Sequence, residues 1–199
     1  MSKYYYHGTD KNSFYKILEH KEIKCRRLIE EEKINITRTV EKTMGPGANG
    51  YEYISVCNKN SFYDSEDAFN TFIRNQYCFI ISDDVDAIKT INLRNKNEMN
   101  KYRDKLSYFV CNNSDSEIRF SIMSDEYHIK TRIPLSKIIG FGFPFNRINS
   151  KELEYLFELS YELRLDIVNT NEPYFIEEYE AKKNIPKVKA LNNRGWCNG

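Results

Sequence analysis

The chain has 199 residues, 30% of them charged and 40% apolar, with 15 tyrosines and 12 phenylalanines, a profile that excludes disordered and collagen-like chains. Thirty basic residues against twenty-nine acidic ones leave a net charge of +1, so there is no global field to recruit nucleic acid or an anionic membrane. No apolar run approaches the roughly 18 residues of a bilayer span, and MSKYYY lacks the apolar core of a secretory signal, so the expected location is the cytoplasm. Five cysteines (Cys25, Cys57, Cys78, Cys111, Cys197) without C-x-x-C spacing or nearby histidines suggest neither a disulfide framework nor a zinc site. Most read as small buried apolar residues.

In chain order, Lys3 to His7 is aromatic and strand-forming, and Gly8 ends it. A helix follows in TDKNSFYKILEHKEIK, where Phe14, Ile17 and Leu18 fall at i, i+3 and i+4 and Asp10 or Asn12 can cap the first turn. Residues 26 to 43 are charged and poorly periodic, and MGPGANG (44 to 50) completes what reads as a loop. YEYISVC (51 to 57) predicts a strand, and a helix capped by Asp64 or Ser65 follows, with Ala68, Phe69, Phe72 and Ile73 on one face. YCFIIS (77 to 82) and LSYFVC (106 to 111) read as buried strands. EIRFSIM (117 to 123) and DEYHIKTRI (125 to 133) alternate apolar and polar residues as half-buried strands do.

In the last of these, Tyr127, Ile129, Thr131 and Ile133 point inward, while Glu126 and His128 share the polar face directed away from the core. PLSKIIG predicts a short helix or turn, and GFGFPF a glycine-punctuated strand or loop. Lys151 to Asp166 predicts a helix with Leu153, Leu156, Phe157, Tyr161 and Leu163 inward. From Asn169 the pattern decays toward a basic tail, which gives a domain over 1–168 and an extension over 169–199. Short strands with few intervening helices argue for an α+β fold, and the glycines form neither a dinucleotide fingerprint nor a phosphate loop.

Three separated features carry candidate chemistry: His7-Gly8-Thr9 at the end of the first strand, Tyr53-Ile54-Ser55 in a central strand, and Glu126 followed by IPLSKIIGF. Taken singly, each has a bland explanation as a turn histidine, a strand serine or a solvated glutamate. Taken in order, YYYHGTDKNSFYKIL, YEYISVC and SDEYHIKTRIPLSKIIGF resemble the ADP-ribosyltransferase superfamily, in the His-Tyr-Glu branch that holds the poly(ADP-ribose) polymerases and related DNA-modifying toxins. The resemblance spans residues 4 to 141. It implies a split pair of small antiparallel sheets flanked by helices, with a cleft for NAD as substrate.

On that resemblance His7 meets the adenosine ribose, the Gly8 backbone pairs with the nicotinamide carboxamide, and Thr9 completes the motif. Tyr53 lies against the nicotinamide ring, Ser55 orients polar groups nearby, and Tyr63 stacks on the opposite side. Glu126 is the catalytic carboxylate, with Glu117 in reserve. The family's arginine-modifying members carry Glu or Gln two residues before that glutamate, and Ser124 stands there in this chain. His128 is outside the family pattern; it can tune the carboxylate, contact the acceptor or do nothing.

The implied activity transfers ADP-ribose from NAD to a protein, DNA or RNA acceptor, as a bacterial or phage toxin, effector or defence factor would. An RNA 2′-phosphotransferase needs a grip of basic residues on the phosphate, and here the arginines after Arg27 are scattered. An NAD glycohydrolase would use water as acceptor. A non-catalytic NAD- or ADP-ribose-binding module would have lost one of His7, Tyr53 and Glu126, and a nuclease built on His7, His128 and Asp125 has no supporting motif. A local basic patch of Lys24, Arg26, Arg27 and Lys182 to Lys189 is the one feature suited to a nucleic-acid acceptor, against the plainer reading of a solvated surface.

Overall fold

In a computed structural model of the chain, the residues described are 4–35, 52–62, 73–92, 95–97, 99–103, 120–121 and 126–184. Tyr63, Glu117, Cys111, Cys197, the helix expected after Asp64, the strand expected over 106–111 and most of 117–123 lie outside them.

Strand β1 (Tyr4–Thr9) is followed at once by helix α1 (Lys11–His20). Asp10 is the cap between them, its carboxylate accepting from the backbone N–H groups of Asn12 and Ser13 at 2.9 and 3.0 Å. Such a cap contributes about 1 kcal/mol. Phe14 and Leu18 are buried, and Lys21 in the left-handed region ends the helix before the short strand β2 (Glu22–Lys24). The span expected to be loop contains a helix instead: α2 (Arg26–Glu31) is held by Arg26–Glu30 and Arg27–Glu31 pairs four residues apart. Only Leu28 of this helix is buried, and one apolar anchor is too little to produce a visible period.

Strands β3 (Tyr53–Val56) and β4 (Tyr77–Ser82) form where aromatic and β-branched residues predict them. Next come β5 (Ala87–Lys89), β6 (Ile91–Asn92), β7 (Phe120–Ser121), β8 (Tyr127–Lys130) and β9 (Arg132–Pro134). A single 3-10 turn over Leu135–Lys137 leads into β10 (Ile138–Phe143), so the GFGF stretch is strand. Helix α3 (Ser150–Leu163), strand β11 (Asp166–Asn169) and helix α4 (Phe175–Asn184) complete the order.

The fold is α+β, built on two main sheets. One has the order β1-β4-β10-β11 and the other β3-β8-β5; β2 pairs with β9, and β6 with β7. An all-antiparallel arrangement does not hold, because β10 runs parallel to β11 across α3, and β6 runs parallel to β7. A connection through a helix returns the chain in the same direction, whereas a hairpin reverses it.

DEYHIKTRI is also two strands rather than one. Thr131 has φ 70°, an unusual state for a β-branched residue, and is held there from both sides. Its N–H donates to Glu52 O at 3.0 Å and its C=O accepts from Cys25 N–H at 2.8 Å. The kink sends β8 to the β3 sheet and β9 to β2 while keeping Ile129 and Ile133 both buried.

The main core lies between these sheets and helices α1 and α3, around Phe14, Phe79, Phe141 and Leu156. In α3 only Leu156 is fully inside. Phe157 and Tyr161, expected inward, are 50% and 88% exposed, because the helix meets the sheet along a narrow stripe. A second core joins Tyr6, Cys57, Cys78 and Ile80 to Phe175, Ile176 and Tyr179 of α4, a helix hidden in the sequence by its weak periodicity. Cys25, Cys57 and Cys78 are buried free thiols. Among the described residues no helix is long and apolar enough to cross a membrane.

Gly142 is where β10, β4 and the chain after β11 come closest. A Cβ there would meet Val168 Cγ2 at 2.6 Å, Thr170 Cγ2 at 2.8 Å and Cys78 Sγ at 2.9 Å. Gly142→Ala should therefore cost about 1 to 3 kcal/mol of stability by overpacking, measured as a lower midpoint in urea with an unchanged slope.

Candidate functional site

Among the described residues, backbone pairing joins the two main sheets at Tyr6 and Cys57. Tyr6 N–H donates to Cys57 O at 2.7 Å and Cys57 N–H to Tyr6 O at 3.0 Å, an isolated antiparallel bridge. In an extended strand the N–H and C=O of alternate residues point to the same edge. Because Tyr6 faces β3, Gly8 also turns its N–H and C=O toward β3, one step past the bridge, while His7 and its neighbours pair with β4. At that step the ladder does not continue, and a side chain takes its place: His7 Nδ1 lies 2.9 Å from Ser55 O. A carbonyl only accepts, so the proton is on Nδ1 and Nε2 is a bare acceptor. This bond occupies the one donor of a neutral His7 imidazole.

Pairing partners share a face, and the β3–β8 register sets Tyr53 opposite Lys130, Ser55 opposite His128 and Val56 opposite Tyr127. One step further the same register brings Glu126 beside Cys57. Tyr53, Ser55, Glu126 and His128 therefore occupy one face, with Ile54, Val56, Tyr127 and Ile129 on the other, in the main core. The main chain of Glu126 is fixed from the residue that follows β5, where Thr90 donates its N–H and its hydroxyl to Glu126 O at 2.9 and 2.7 Å. Burial pushes the Cys57 thiol well above its ordinary pKa, and the neighbouring Glu126 carboxylate acts in the same direction.

The sequence pattern sends Glu126 and His128 to solvent, and the structure corrects this. Glu126 has a side chain 16% exposed, and His128 is 4% exposed. The His128 ring sits 6.0 Å from that of Tyr53, itself buried, and its Nε2 is 3.8 Å from Glu126 Oε2. Alternation identifies which residues share a face; it does not say which face other segments cover, and that is how the sequence misplaced both residues.

His7 and Thr9 project to the opposite side of β1 from Tyr6, into a cavity of about 140 Å³. Its walls are largely Ile17, Ile23, Ile29 and Ile34, with Ser13, Lys16, His20, Glu22 and Lys24 at polar positions; Tyr53, Ser55 and Glu126 are not among its lining residues. The candidate residues thus form two groups, the His7 cavity and the Tyr53–Glu126 face, joined where the seam opens between Gly8 and Ser55. Nothing in the sequence motifs indicates the isoleucine-walled cavity, whose lining comes from α1, β2 and the segment around α2.

Of the basic patch suggested by sequence, Lys24, Arg26 and Arg27 are ion-paired within the fold, and the part beyond Asn184 lies outside the described residues. Lys24 pairs with Glu22 at 2.9 Å and with Glu32, Arg26 with Glu30 at 2.8 Å, and Arg27 with Glu31 and Glu52 at 2.8 and 2.9 Å.

A scan against models of protein families finds no match to this chain, and a search of curated proteins finds none either.

Burial lowers the His7 pKa from its ordinary 6.5, partly offset by the bond to Ser55. Below pH 6.5 the unfolded chain takes up a proton at this position that the native chain refuses, so the associated stability is complete above 6.5 and is lost as pH falls toward the native value. His7→Asn, whose amide can still donate to Ser55 O, removes that titration. Melting temperature plotted against pH should be flatter below pH 6.5 in this variant than in the wild type; an equally steep slope would assign the effect to another group.

Proposed function

We propose that the protein is an NAD-dependent ADP-ribosyltransferase of the His-Tyr-Glu type, which cleaves the nicotinamide–ribose bond and transfers ADP-ribose to a macromolecular acceptor. The observation that carries this reading is the seam. Motifs 119 residues apart in the chain, from His7 to Glu126, lie on or beside β1, β3 and the strand β8 that pairs with β3. Two small sheets joined by a bridge support this reading, since the resemblance implies a split pair of small sheets with a cleft for NAD between them.

The chemistry follows from the groups present. Gly8 turns a backbone donor and acceptor into the opening, the complement of a carboxamide, and the absence of a Cβ lets a flat ring approach the main chain. Nε2 of His7 is an acceptor suited to a ribose hydroxyl, and the apolar cavity on the same side has room for a heteroaromatic base. Tyr53 offers an aromatic surface on the Glu126 face, and Ser55 ties the two sides together through its carbonyl.

Breaking the nicotinamide–ribose bond develops positive charge on the ribose. A carboxylate that also accepts from the 2′-hydroxyl stabilises that transition state more than the ground state. Glu126, 16% exposed and fixed in its main chain by Thr90, is suited to this role, and it can then accept the proton of the incoming acceptor.

The test is incubation of the purified protein with labelled NAD and candidate protein, DNA and RNA acceptors, beside Glu126→Gln. Wild type should release nicotinamide and label an acceptor, and the variant should be slower by about 10² to 10³. A wild type that does neither, and shows no thermal shift with NAD, would overturn the reading; nicotinamide release without labelling would make the protein a glycohydrolase.

A further inference from the structure

We infer that His128 is a positioning residue, which donates its Nε2 proton to the Glu126 carboxylate and so fixes which oxygen of that carboxylate faces the ribose. The catalytic part of this inference rests on the function proposed above; the histidine–glutamate pairing does not.

His128 is an unexpected residue to find inside. It occupies the middle strand of the β3-β8-β5 sheet, with Ser55 opposite on one side and Ile88 on the other, and is 4% exposed. A side chain chosen only to fill this site would be apolar, since each buried polar atom needs a partner. Its Nδ1 is buried with no hydrogen-bond partner among the described residues, and its Nε2 faces Glu126 Oε2 at 3.8 Å.

These two observations fix the tautomer. A proton on Nδ1 would bury an unpaired donor and turn the bare lone pair of Nε2 toward a carboxylate, two unfavourable contacts at once. A proton on Nε2 leaves only a buried acceptor unmet and aims the donor at the anion. The 3.8 Å gap is beyond hydrogen-bond length, and a small rotation of the carboxylate closes it, as catalytic contacts do when a ligand enters.

Other groups share this face. Tyr53 meets the imidazole ring to ring, and Lys130, two residues on, is exposed. Ser55, directly opposite, has its carbonyl engaged by His7. A donor at Oε2 then sets the orientation in which the carboxylate meets a 2′-hydroxyl.

His7 and His128 thus carry opposite tautomers, Nδ1–H in the first and Nε2–H in the second. Long-range ¹H–¹⁵N correlation on the uniformly labelled full chain at neutral pH reads this directly, since there are only three histidines to assign. A proton on Nε2 of His128 is the expected result, and one on Nδ1 alone overturns the inference. In nicotinamide release, His128→Leu should lower kcat by about 10²-fold, the cost of a misplaced catalytic group, with little change in KM for NAD.

His128→Gln, whose amide nitrogen falls near Nε2, should recover activity to within about tenfold of wild type. Equal losses in the two variants, both folded by near-ultraviolet circular dichroism, would make His128 a packing residue and overturn the positioning role. If the wild type releases no nicotinamide, the proposed function fails, and the tautomer alone then decides whether His128 serves Glu126.

Discussion

The Tyr6–Cys57 bridge is the constraint on which the rest of the molecule depends. Two backbone hydrogen bonds, at 2.7 and 3.0 Å, make one structure of two sheets that otherwise share no ladder. The main core packs the same two sheets together through Ile54, Val56 and Ile129 of one and Phe79, Ile81 and Phe141 of the other. Tyr6 can hold the junction because it is fully buried, paired through its neighbours to β4, and hydrogen-bonded through its hydroxyl to Glu180 of α4 at 3.2 Å. Burial above all, and then the Glu180 carboxylate, push the Tyr6 hydroxyl far above its ordinary pKa, so this link stays a neutral donor over the whole working range.

What was legible in the sequence follows from how each signal is encoded. Strands β3 and β4 and helix α1 announce themselves because composition, period and cap agree within one short segment. The order of the motifs was legible in the sequence; pairing registers set Tyr53, Ser55 and Glu126 on one face while His7 lines the cavity on the other side of β1, and Tyr63 lies outside the described residues.

The elements that were missed are set by contacts distant in the chain. Thr131 is kinked by Glu52 and Cys25, neither visible from DEYHIKTRI. Helix α4 is recruited by a core assembled mostly from β1, β4 and β11, so its four buried residues, Glu180 among them, follow the docking surface and leave little helical period. His128 was misplaced for the same reason: alternation gave its face correctly, and the burial of that face depends on segments a local pattern does not contain.

The opening stretch YYYHGT divides its work by parity. Tyr5, His7 and Thr9 direct their backbone to β4 and their side chains to the main core and the cavity, where Tyr5 meets Tyr127 at 5.1 Å. Tyr4, Tyr6 and Gly8 direct their backbone to the other edge, and their side chains to the face that carries Cys57, Ser55 and Glu126. Position 8 places no side chain on that face, and His7 just before it meets Ser55 O from the opposite face. The aromatic residues ahead of His7 and Gly8 hold this arrangement in register, so the position of the seam is fixed within the first eight residues of the chain.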